Sequence, residues 1–481
     1  MAGGVGGNHR SRRCRRRILE GQRRWEPQGF ERPSDPLHRR LPFENLSHDP
    51  NQEFFSDGTT DALISSLAQI RALAVTSRAS AMHYKRTTKS VREIARELGV
   101  EAIVTATVQR AEGRVRITAQ LIRASTDTIL WANEYEREMA DILKLEGEVA
   151  RAIALEIQVQ VTPDENRRLA SARSIRPEAH EAFLLGRYHR LKGNETDYKQ
   201  AIVYLEKAIK LQSDYAPAYV ELSGTWSLLS RFRFSNADRA ARRAAQKALE
   251  LDPNLADAHV RMGDLKSSDW DWTGAQREYK WALDLNPELD AGRGYATLMS
   301  AMGRHQQAIA IAERGVRINP VDPNAHFGYA MAMFFAGKLR ESLPHFQRAL
   351  ALEPRFVDAR LMVGVIDQEL GKLQEALTIF EGPDFQGSSN LALTYALQRR
   401  RADALKALNS LVNKGGGSDF QGVAKVYFAL GEKDLGFQWL TKAFDQRQAY
   451  ITWANVNPTF SDSVRADPRF KALVARLNLP D

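Results

Sequence analysis

The chain has 481 residues, of which 43% are hydrophobic and 26% charged, so at roughly 100 to 200 residues per domain it holds about two to four units. No window approaches the ~20 consecutive apolar residues of a membrane helix, and no apolar run follows the arginine-rich start as in a signal peptide. A single cysteine, Cys14, excludes an intramolecular disulfide and a cysteine-rich metal site. The sequence predicts a protein that is cytoplasmic by default and holds no cofactor or metal.

The net charge of +9 is concentrated at the start of the chain. Residues 1–40 contain 11 arginines, no lysine and four acidic residues, whereas the remainder contains 57 basic and 55 acidic residues. This tail shows no helical or strand period and is predicted to be disordered. Its arginines, with Trp25 and Phe30 as stacking groups, could contact nucleic acid. Phosphate contacts alone give only roughly 10⁻⁴ to 10⁻⁶ M affinity, so a nucleic-acid partner is not expected.

Residues 41–162 have the pattern of a small α/β domain. Ser90 and Glu93 form a capping box before a short helix, because the serine hydroxyl and the glutamate carboxylate can each satisfy a free backbone amide. Apolar and polar residues alternate over 114–123, which predicts a strand with one solvated face. The other predicted elements are a strand over 102–110, a strand near 128–135 and a helix from about Asp141 to Val159. Residues 163–176 are predicted to be a linker.

The rest of the chain repeats a pattern with a period near 34 residues. Four prolines recur at spacings of 34, 33 and 34 residues, namely Pro253, Pro287, Pro320 and Pro354. A small residue stands five positions before each of them, namely Ala248, Ala282, Gly315 and Ala349. Small residues let two antiparallel helices cross closely, and a proline ends the second helix. The period therefore predicts a series of stacked helical hairpins.

This pattern resembles the tetratricopeptide repeat, which has small residues at the helix crossings and a proline after the second helix. The resemblance implies an all-α superhelix, or α-solenoid, of about eight repeats over residues 177–446, followed by a C-terminal cap over 447–481. The aromatic pair Trp270 and Trp272 lies at the turn of one repeat. It is either packing between units or a contact site.

A second resemblance covers the α/β segment. The phrases Leu41-Pro42-Phe43-Glu44-Asn45-Leu46-Ser47, Phe55-Ser56-Asp57-Gly58 and Leu130-Trp131-Ala132 are similar to the TolB amino-terminal-like domain. In that family this domain and the repeats lie downstream of an adenylate cyclase, a Ser/Thr kinase or a CadC-type winged-helix effector, and none of these is visible in this sequence. The family places an apolar strand before the Leu-Pro-Phe, whereas Leu37-His38-Arg39-Arg40 makes a poor buried strand. We therefore expect that residues 1–40 are not the native N-terminal segment of this domain and that its sheet lacks one strand.

The resemblance also implies a partner-binding groove on the first helices of the repeats. The positions that face this groove in the family correspond here to Arg187, Arg190, Asp264, Arg293, Phe327, Met331, Phe334 and Leu361. For Phe327 and Phe334 a place in the buried core is an equal alternative. An apolar middle of this kind suits an amphipathic helix or an extended segment.

The sequence contains no recognisable catalytic set, so the predicted function is a non-enzymatic protein–protein interaction scaffold in a bacterial signalling or regulatory assembly. The predicted partner is a protein or peptide, and the oligomeric state stays open. The alternative is that the chain is the sensory portion of an adenylate cyclase, a kinase or a transcriptional regulator whose effector is absent from it. A truncated or misassigned N-terminus would allow a periplasmic location.

Overall fold

A small mixed sheet precedes a long series of helical hairpins. The computed structural model describes residues 37–40, 44–45, 53–68, 70, 73–76, 78–85, 87–111, 113–157, 159, 161–170, 175–230, 234, 236–286, 292–413 and 419–480. The predicted disorder of residues 1–36 lies outside the described residues.

The sheet has six strands in the order β3-β1-β4-β5-β6, with β2 beside β4. The strands are β1 Leu37–Arg40, β2 Glu44–Asn45, β3 Ala74–Val75, β4 Ala102–Ala111, β5 Arg114–Arg123 and β6 Thr128–Glu138. The last three form the predicted antiparallel hairpin and its neighbour, with Gly113 in the left-handed region at the turn (φ 76°). On β5 the residues Val115, Ile117, Ala119 and Leu121 are buried, as their alternation predicted.

Strand β1 corrects the expectation for the end of the tail. Disorder was predicted through residue 40, and the sheet was expected to be short of its first strand, but Leu37–Arg40 forms a strand between β3 and β4. Its pairing is parallel on both sides, with His38 opposite Val75 and Ala102. The prediction failed because it judged the segment by its side chains, whereas ladder hydrogen bonds use backbone groups that every residue except proline carries in full.

Five helices accompany the sheet, namely α1 Glu53–Ala68, α2 Arg78–Met82, α3 Val91–Leu98, α4 Ile142–Glu156 and α5 Pro163–Ala170, with a 3₁₀ turn at Met139–Asp141. The predicted capping box of α3 is present: Ser90 Oγ accepts from the Glu93 amide at 3.3 Å, and Glu93 Oε2 accepts from the Ser90 amide at 2.8 Å. Gly99 ends α3 with a φ of 67°.

Helix α5 lies inside the segment that was predicted to be a linker. It begins after a second capping box, in which the Thr162 amide donates to Glu165 Oε2 at 2.8 Å. Leu169 is buried, and its carbonyl lies so close to Gly147 of α4 that a Cβ on that glycine would collide with it. Part of the predicted linker, residues 163–170, is thus helical, and Leu169 packs against α4.

Eight consecutive helix pairs follow, and we number them as hairpins one to eight, each with an inner (first) and an outer (second) helix. They are Pro177–Leu191 with Glu195–Leu211, Ala216–Leu229 with Ala237–Leu251, Ala256–Ser268 with Trp272–Leu285, Gly292–Ala301 with His305–Ile318, Pro323–Phe335 with Leu339–Leu352, Val357–Glu369 with Leu373–Phe380, Ser389–Leu397 with Arg401–Asn413, and Phe420–Ala429 with Lys433–Asp445.

Small residues set the distance between the two helices of a hairpin. A Cβ on Gly263 would lie 2.9 Å from the Tyr279 ring, and a Cβ on Gly364 would lie 2.5 Å from the Phe380 ring. The facing alanines Ala275 and Ala376 are fully buried. An aromatic ring of the outer helix thus rests directly on the backbone of the inner helix, which is the arrangement that the repeat pattern predicted.

The α/β domain touches the hairpins at two places. Gly58 of α1 packs on Leu184 in the first hairpin, so closely that a Cβ would overlap the leucine side chain. On the other side, Ile94 and Leu98 of α3 share a buried cluster with Val321, which lies between the fourth and fifth hairpins. The domain therefore spans the edge of the solenoid from its first hairpin to its middle.

A C-terminal cap follows the eighth hairpin and contains a 3₁₀ helix Ala449–Trp453 and the helices Asp462–Arg465 and Pro468–Ala475. Arg465 organises its loop by donating to the carbonyl oxygens of Asn455 (2.8 Å), Phe460 (3.0 Å) and Asn457. Among the described helices, none has both the length and the apolar composition needed to cross a bilayer.

We predict opposite effects for two glycine-to-alanine substitutions. Gly364→Ala should lower the melting temperature, because its methyl group meets the Phe380 ring and overpacking costs roughly 1–3 kcal/mol. Gly315→Ala is the matched control in an outer helix where nothing lies within 4 Å of the new methyl group, and it should stabilise by up to about 1 kcal/mol through helix propensity. Thermal unfolding followed by circular dichroism measures both, and equal shifts of the same sign would contradict this account of the crossings.

Candidate functional site

The predicted groove residues lie on inner helices, but they do not form one continuous open surface. Two of them belong to a polar group at the first hairpin, and three belong to an apolar group at the fifth. The α/β domain contacts the polar group, and the C-terminal cap contacts the apolar group. Both groups therefore already contact other parts of the same chain.

The polar group joins the α/β domain to the solenoid. Arg187 forms ion pairs with Asp61 of α1 and, at 3.2 Å, with Glu221 of the second hairpin. Arg190 donates from Nε to the other oxygen of Glu221 at 2.6 Å. The side chains of Arg187 and Arg190 are only 20% and 19% exposed. Arg187 therefore links the α/β domain to the solenoid, whereas Arg190 links the first hairpin to the second.

Burial and charge govern the protonation of this junction. Although burial opposes ionisation, the nearby Arg190, Arg187 and Arg261 lower the pKa of Glu221 to about 2. This carboxylate is therefore charged throughout the physiological range and can anchor both arginines. A buried pair of this kind is costly to break from one side, because the remaining charge loses its partner away from water.

Two buried groups at the same junction lack a full set of hydrogen bonds. Glu146 of α4 is 2% exposed, and its Oε1 has no partner among the described residues; burial, with Asp61 nearby, raises the pKa of Glu146 well above its usual range. His180 contacts the Tyr215 hydroxyl through Nδ1 at 3.1 Å, while its Nε2 has no described partner. Burial lowers the pKa of His180 to about 4. His180 is therefore neutral near pH 7, and burial favours the neutral form of Glu146.

The apolar group is built around phenylalanines of the fifth hairpin. Phe334 is 3% exposed and packs edge-on against Phe335 at 5.4 Å, so it is a core residue, which is the alternative that the sequence left open. Phe327 is half-buried and contacts the rings of Phe346 at 5.5 Å and Phe356 at 5.1 Å. Met331 is half-buried in the same cluster. Phe327 and Met331 thus keep partly accessible surface, while Phe334 does not.

The cap reaches this apolar group through one tryptophan. The Trp453 ring stacks on Phe335 with centroids 5.5 Å apart and planes at 17°. Its indole Nε1 donates to the backbone carbonyl of Thr297, on the inner helix of the fourth hairpin, at 3.1 Å. Val456 joins the same cluster as Phe327 and Met331. The inner helices of the fourth and fifth hairpins therefore already bind a side chain from 156 residues further along the chain.

A second set of contacts ties the cap to the turn of the third hairpin. Trp272 is buried, and its Nε1 donates to the Leu477 carbonyl at 2.7 Å. Arg447 lies 4.7 Å from the centre of the Trp270 ring and donates to the Asp269 carbonyl at 3.3 Å. The two tryptophans that the sequence read as unit packing or a contact site thus contact the cap of the same chain.

The other predicted groove residues have separate surroundings. Asp264 accepts a hydrogen bond from the Tyr279 hydroxyl at 2.6 Å. Arg293 is exposed at the start of the fourth inner helix. Leu361 is half-buried beside the cluster of Phe380 and Phe385 in the sixth hairpin. Arg293 is therefore the most accessible of the eight candidates.

Sequence reasoning missed Trp453, which this structure places at the centre of the candidate site. The cap was predicted as a terminal element, and no local signal connects it with the fourth and fifth hairpins. The one available hint is compositional, because Tyr450, Trp453 and Val456 put large apolar side chains in a segment with no helical period.

A cavity of about 1000 Å³ in the α/β domain is the alternative location for a site. It lies between α3 and the end of α4, and its charged lining consists of Arg92, Arg96, Glu101, Arg123 and Glu156. All five side chains are exposed, and no described buried polar atom without a partner faces it. Nor do the described residues contain a cluster of three or more metal-ligating side chains. The groove of the fourth and fifth hairpins is the better-built site.

Comparison with known proteins gives one family match. The family model of the tetratricopeptide repeat matches residues 190–215, which span the turn and the outer helix of the first hairpin. Putative adenylate cyclase 3 of Rhizobium meliloti (strain 1021) is 30% identical over 312 residues, covering 64% of this chain and 42% of that protein. Superkiller complex protein 3 of Mus musculus is 26% identical over 256 residues, covering 50% of this chain and 16% of that protein. The chain thus spans less than half the length of both relatives.

Two solved structures illustrate the structural similarity. YrrB, described as a TPR protein with an unusual peptide-binding site, is 23% identical with a TM-score of 0.27, and the match covers 42% of this chain and 96% of YrrB. The APC/C hetero-tetramer Cut9–Hcn1 is 15% identical with a TM-score of 0.45, and the match covers 70% of this chain and 63% of the matched chain.

We predict that Glu146→Gln stabilises the protein and that the gain grows with pH. The folded state keeps the proton of Glu146 at pH values where the unfolded chain has released it, so stability is lost as pH rises above the ordinary glutamate pKa, at about 1.4 kcal/mol per pH unit up to the raised pKa. Glutamine has no proton to lose. The melting temperature of Glu146→Gln should therefore match the wild type near pH 4 and exceed it near pH 8.

The matched control for this prediction is Glu148→Gln on the same helix, because Glu148 is partly exposed and pairs with Arg137 at 2.9 Å. It should show no gain that grows with pH. A melting temperature of Glu146→Gln below the wild type at pH 8 would contradict the assignment of a neutral, buried Glu146.

Proposed function

We propose that this tetratricopeptide repeat protein is a non-enzymatic scaffold that binds a partner protein against the inner helices of its hairpins. Tetratricopeptide repeats generally mediate protein–protein interaction, and stacked helical hairpins provide an extended concave surface rather than a closed catalytic pocket. The observation that carries the proposal is the engaged surface at the fourth and fifth hairpins, where the Phe335 ring and the Thr297 carbonyl bind an aromatic side chain.

The proposed contact residues are a subset of the eight sequence candidates. Phe327, Met331 and Leu361 supply partly accessible apolar surface, and Arg293 supplies an exposed charge at the rim. Arg187 has the different role of docking the α/β domain through Asp61, and Arg190 pairs with Glu221 of the second hairpin. The partner is thus expected to contact the middle of the solenoid rather than its first hairpin.

We further propose that residues 41–162 are a TolB-like module and that the whole chain acts in a bacterial signalling or regulatory assembly. The capping box, the hairpin and the sequence phrases support the resemblance. Gly58 lies in one of those phrases, and a glycine is needed there because a larger residue would prevent α1 from approaching Leu184. In this proposal the module uses that face of α1 to fix its position on the solenoid.

The alternative function, a sensory portion of a larger signalling protein, is favoured by one comparison. The chain is 30% identical to a putative adenylate cyclase and covers 42% of its length. The genomic DNA upstream of the codon for Leu41, read in all frames, would reveal a cyclase, kinase or winged-helix effector if this alternative holds. An upstream region without such a reading frame would favour the free-standing scaffold.

We predict that the double substitution Phe327→Ala and Met331→Ala weakens partner capture by the full-length chain at least tenfold. Truncating a hot-spot residue at the centre of an interface costs about 2 kcal/mol or more, which corresponds to a loss of affinity above tenfold. Affinity purification with quantitative mass spectrometry compares the enrichment of each captured protein between wild type and variant, and circular dichroism confirms that the variant is folded.

The control is Trp281→Ala, which removes a 45% exposed aromatic residue from the outer helix of the third hairpin. Its capture profile should equal that of the wild type. If the double variant is folded and captures its partners as the wild type does, the groove is not the binding surface.

A further inference from the structure

We propose that the Trp453 side chain occupies the groove as an intramolecular stand-in for the partner, and that the partner enters with a tryptophan-bearing segment that puts its own indole in this place. This inference rests on the proposed function and specifies the chemistry of its partner. We refer to the surface formed by Thr297 and Phe335 as the indole site.

The indole site offers two complementary features to a tryptophan. The Phe335 ring provides a flat apolar face, on which the indole stacks at 5.5 Å. The Thr297 carbonyl provides an acceptor at 3.1 Å from the indole Nε1. A helical carbonyl has two lone pairs, and its bond within the helix uses one of them, so an outside donor can use the other. Of the common side chains, tryptophan combines the largest stacking face with an N–H donor at its edge.

The contact crosses to another part of the solenoid, whereas much of the cap packs locally. Phe460, Val464 and Phe470 join the cluster of Phe437, Leu440 and Phe444 in the eighth hairpin, which is the hairpin directly before the cap. Trp453 and Val456 instead belong to the cluster of the fifth hairpin. Covering the exposed end of the last repeat accounts for the first group of contacts but not for the second.

The Trp453 side chain can leave its site while the cap stays attached, because Ile451 and Ala454 beside it are fully buried in the cluster of the eighth hairpin. Trp453 is only half-buried, and Tyr450 in the same 3₁₀ turn is 62% exposed. On the two sides of this 3₁₀ turn, Arg447 holds the turn of the third hairpin and Leu477 accepts from the buried Trp272. Removing the indole from its site therefore breaks one hydrogen bond and one stacked pair and leaves both outer anchors in place.

A tethered segment competes with a partner as if it were present at high concentration. Because the buried Ile451 and Ala454 hold Trp453 next to its site, an outside peptide with the same contacts meets a site that is already filled. Deleting the Trp453 side chain removes this competitor but leaves Thr297, Met331 and Phe335 unchanged. The proposal therefore predicts that a tryptophan peptide binds the variant better than the wild type.

The test uses the full-length chain and a fluorescently labelled synthetic peptide with the sequence of residues 447–458. Fluorescence anisotropy should show that Trp453→Ala binds this peptide at least tenfold more tightly than the wild type does. Adding Phe335→Ala to this variant should abolish the gain, and a peptide with alanine in place of its tryptophan should not bind. Trp281→Ala, which removes an exposed tryptophan elsewhere, should bind like the wild type.

Equal binding to wild type and a folded Trp453→Ala variant, or no binding to either, would overturn the proposal. If Trp453→Ala does not fold, Trp453→Phe serves instead, because it keeps a ring for stacking but loses the N–H donor. This variant should show a smaller gain of peptide affinity, and an unchanged affinity would overturn the proposal equally.

The outcome is separable from that of the capture experiment. One outcome is that the peptide binds the indole site while Phe327→Ala and Met331→Ala leave the captured proteins unchanged. That result would contradict the proposed function, and the indole site would then recognise only the protein's own tryptophan. If the double variant loses capture but the peptide binds neither protein, the proposed function is supported and the role of Trp453 as a stand-in for the partner is contradicted.

Discussion

Within each hairpin the backbones of two helices approach each other closely, and this approach determines how the hairpins stack. Gly263 and Gly364 let the Tyr279 and Phe380 rings rest on the inner helix, and the buried alanines of the outer helices complete the contact. Because each hairpin buries only part of its apolar surface alone, the next hairpin must stack beside it. The direction of the inner helices, and therefore the position of every groove residue, follows from that stacking.

The two ends of the chain use the resulting surface in physically different ways. At the first hairpin the contact with the α/β domain combines the packing of Gly58 on Leu184 with an ionic network, in which Arg187 pairs with both Asp61 and Glu221. Such a network fixes orientation, since a small displacement would strand buried charges. At the fifth hairpin the contact with the cap is aromatic and half-exposed. A contact of that kind can exchange for a similar one at little cost.

Local sequence signals predicted the elements, and they failed where structure depends on distant residues. The capping box at Ser90, the alternation along β5 and the proline period each reflect interactions between neighbours in sequence, and each element is present. The strand Leu37–Arg40 was missed because its partners Ala74 and Ala102 lie far along the chain. The choice between groove and core for Phe327 and Phe334 could not be made either. Both lie on one inner helix, and they differ only in their tertiary contacts. Phe327 contacts Phe346 and Phe356, whereas Phe334 packs on Phe335.

The contact between the cap and the groove could not be predicted from the sequence, because it too joins residues that are distant along the chain. A repeat period describes how each hairpin meets the next, but the return of the cap to the third, fourth and fifth hairpins depends on the curvature accumulated over all the units between them. Thr297 and Trp453 meet across 156 residues, and Trp272 and Leu477 meet across 205. The groove of a solenoid is therefore not open merely because its repeats are recognisable. In this protein the inner helices of the fourth and fifth hairpins are already engaged by the chain's own tryptophan.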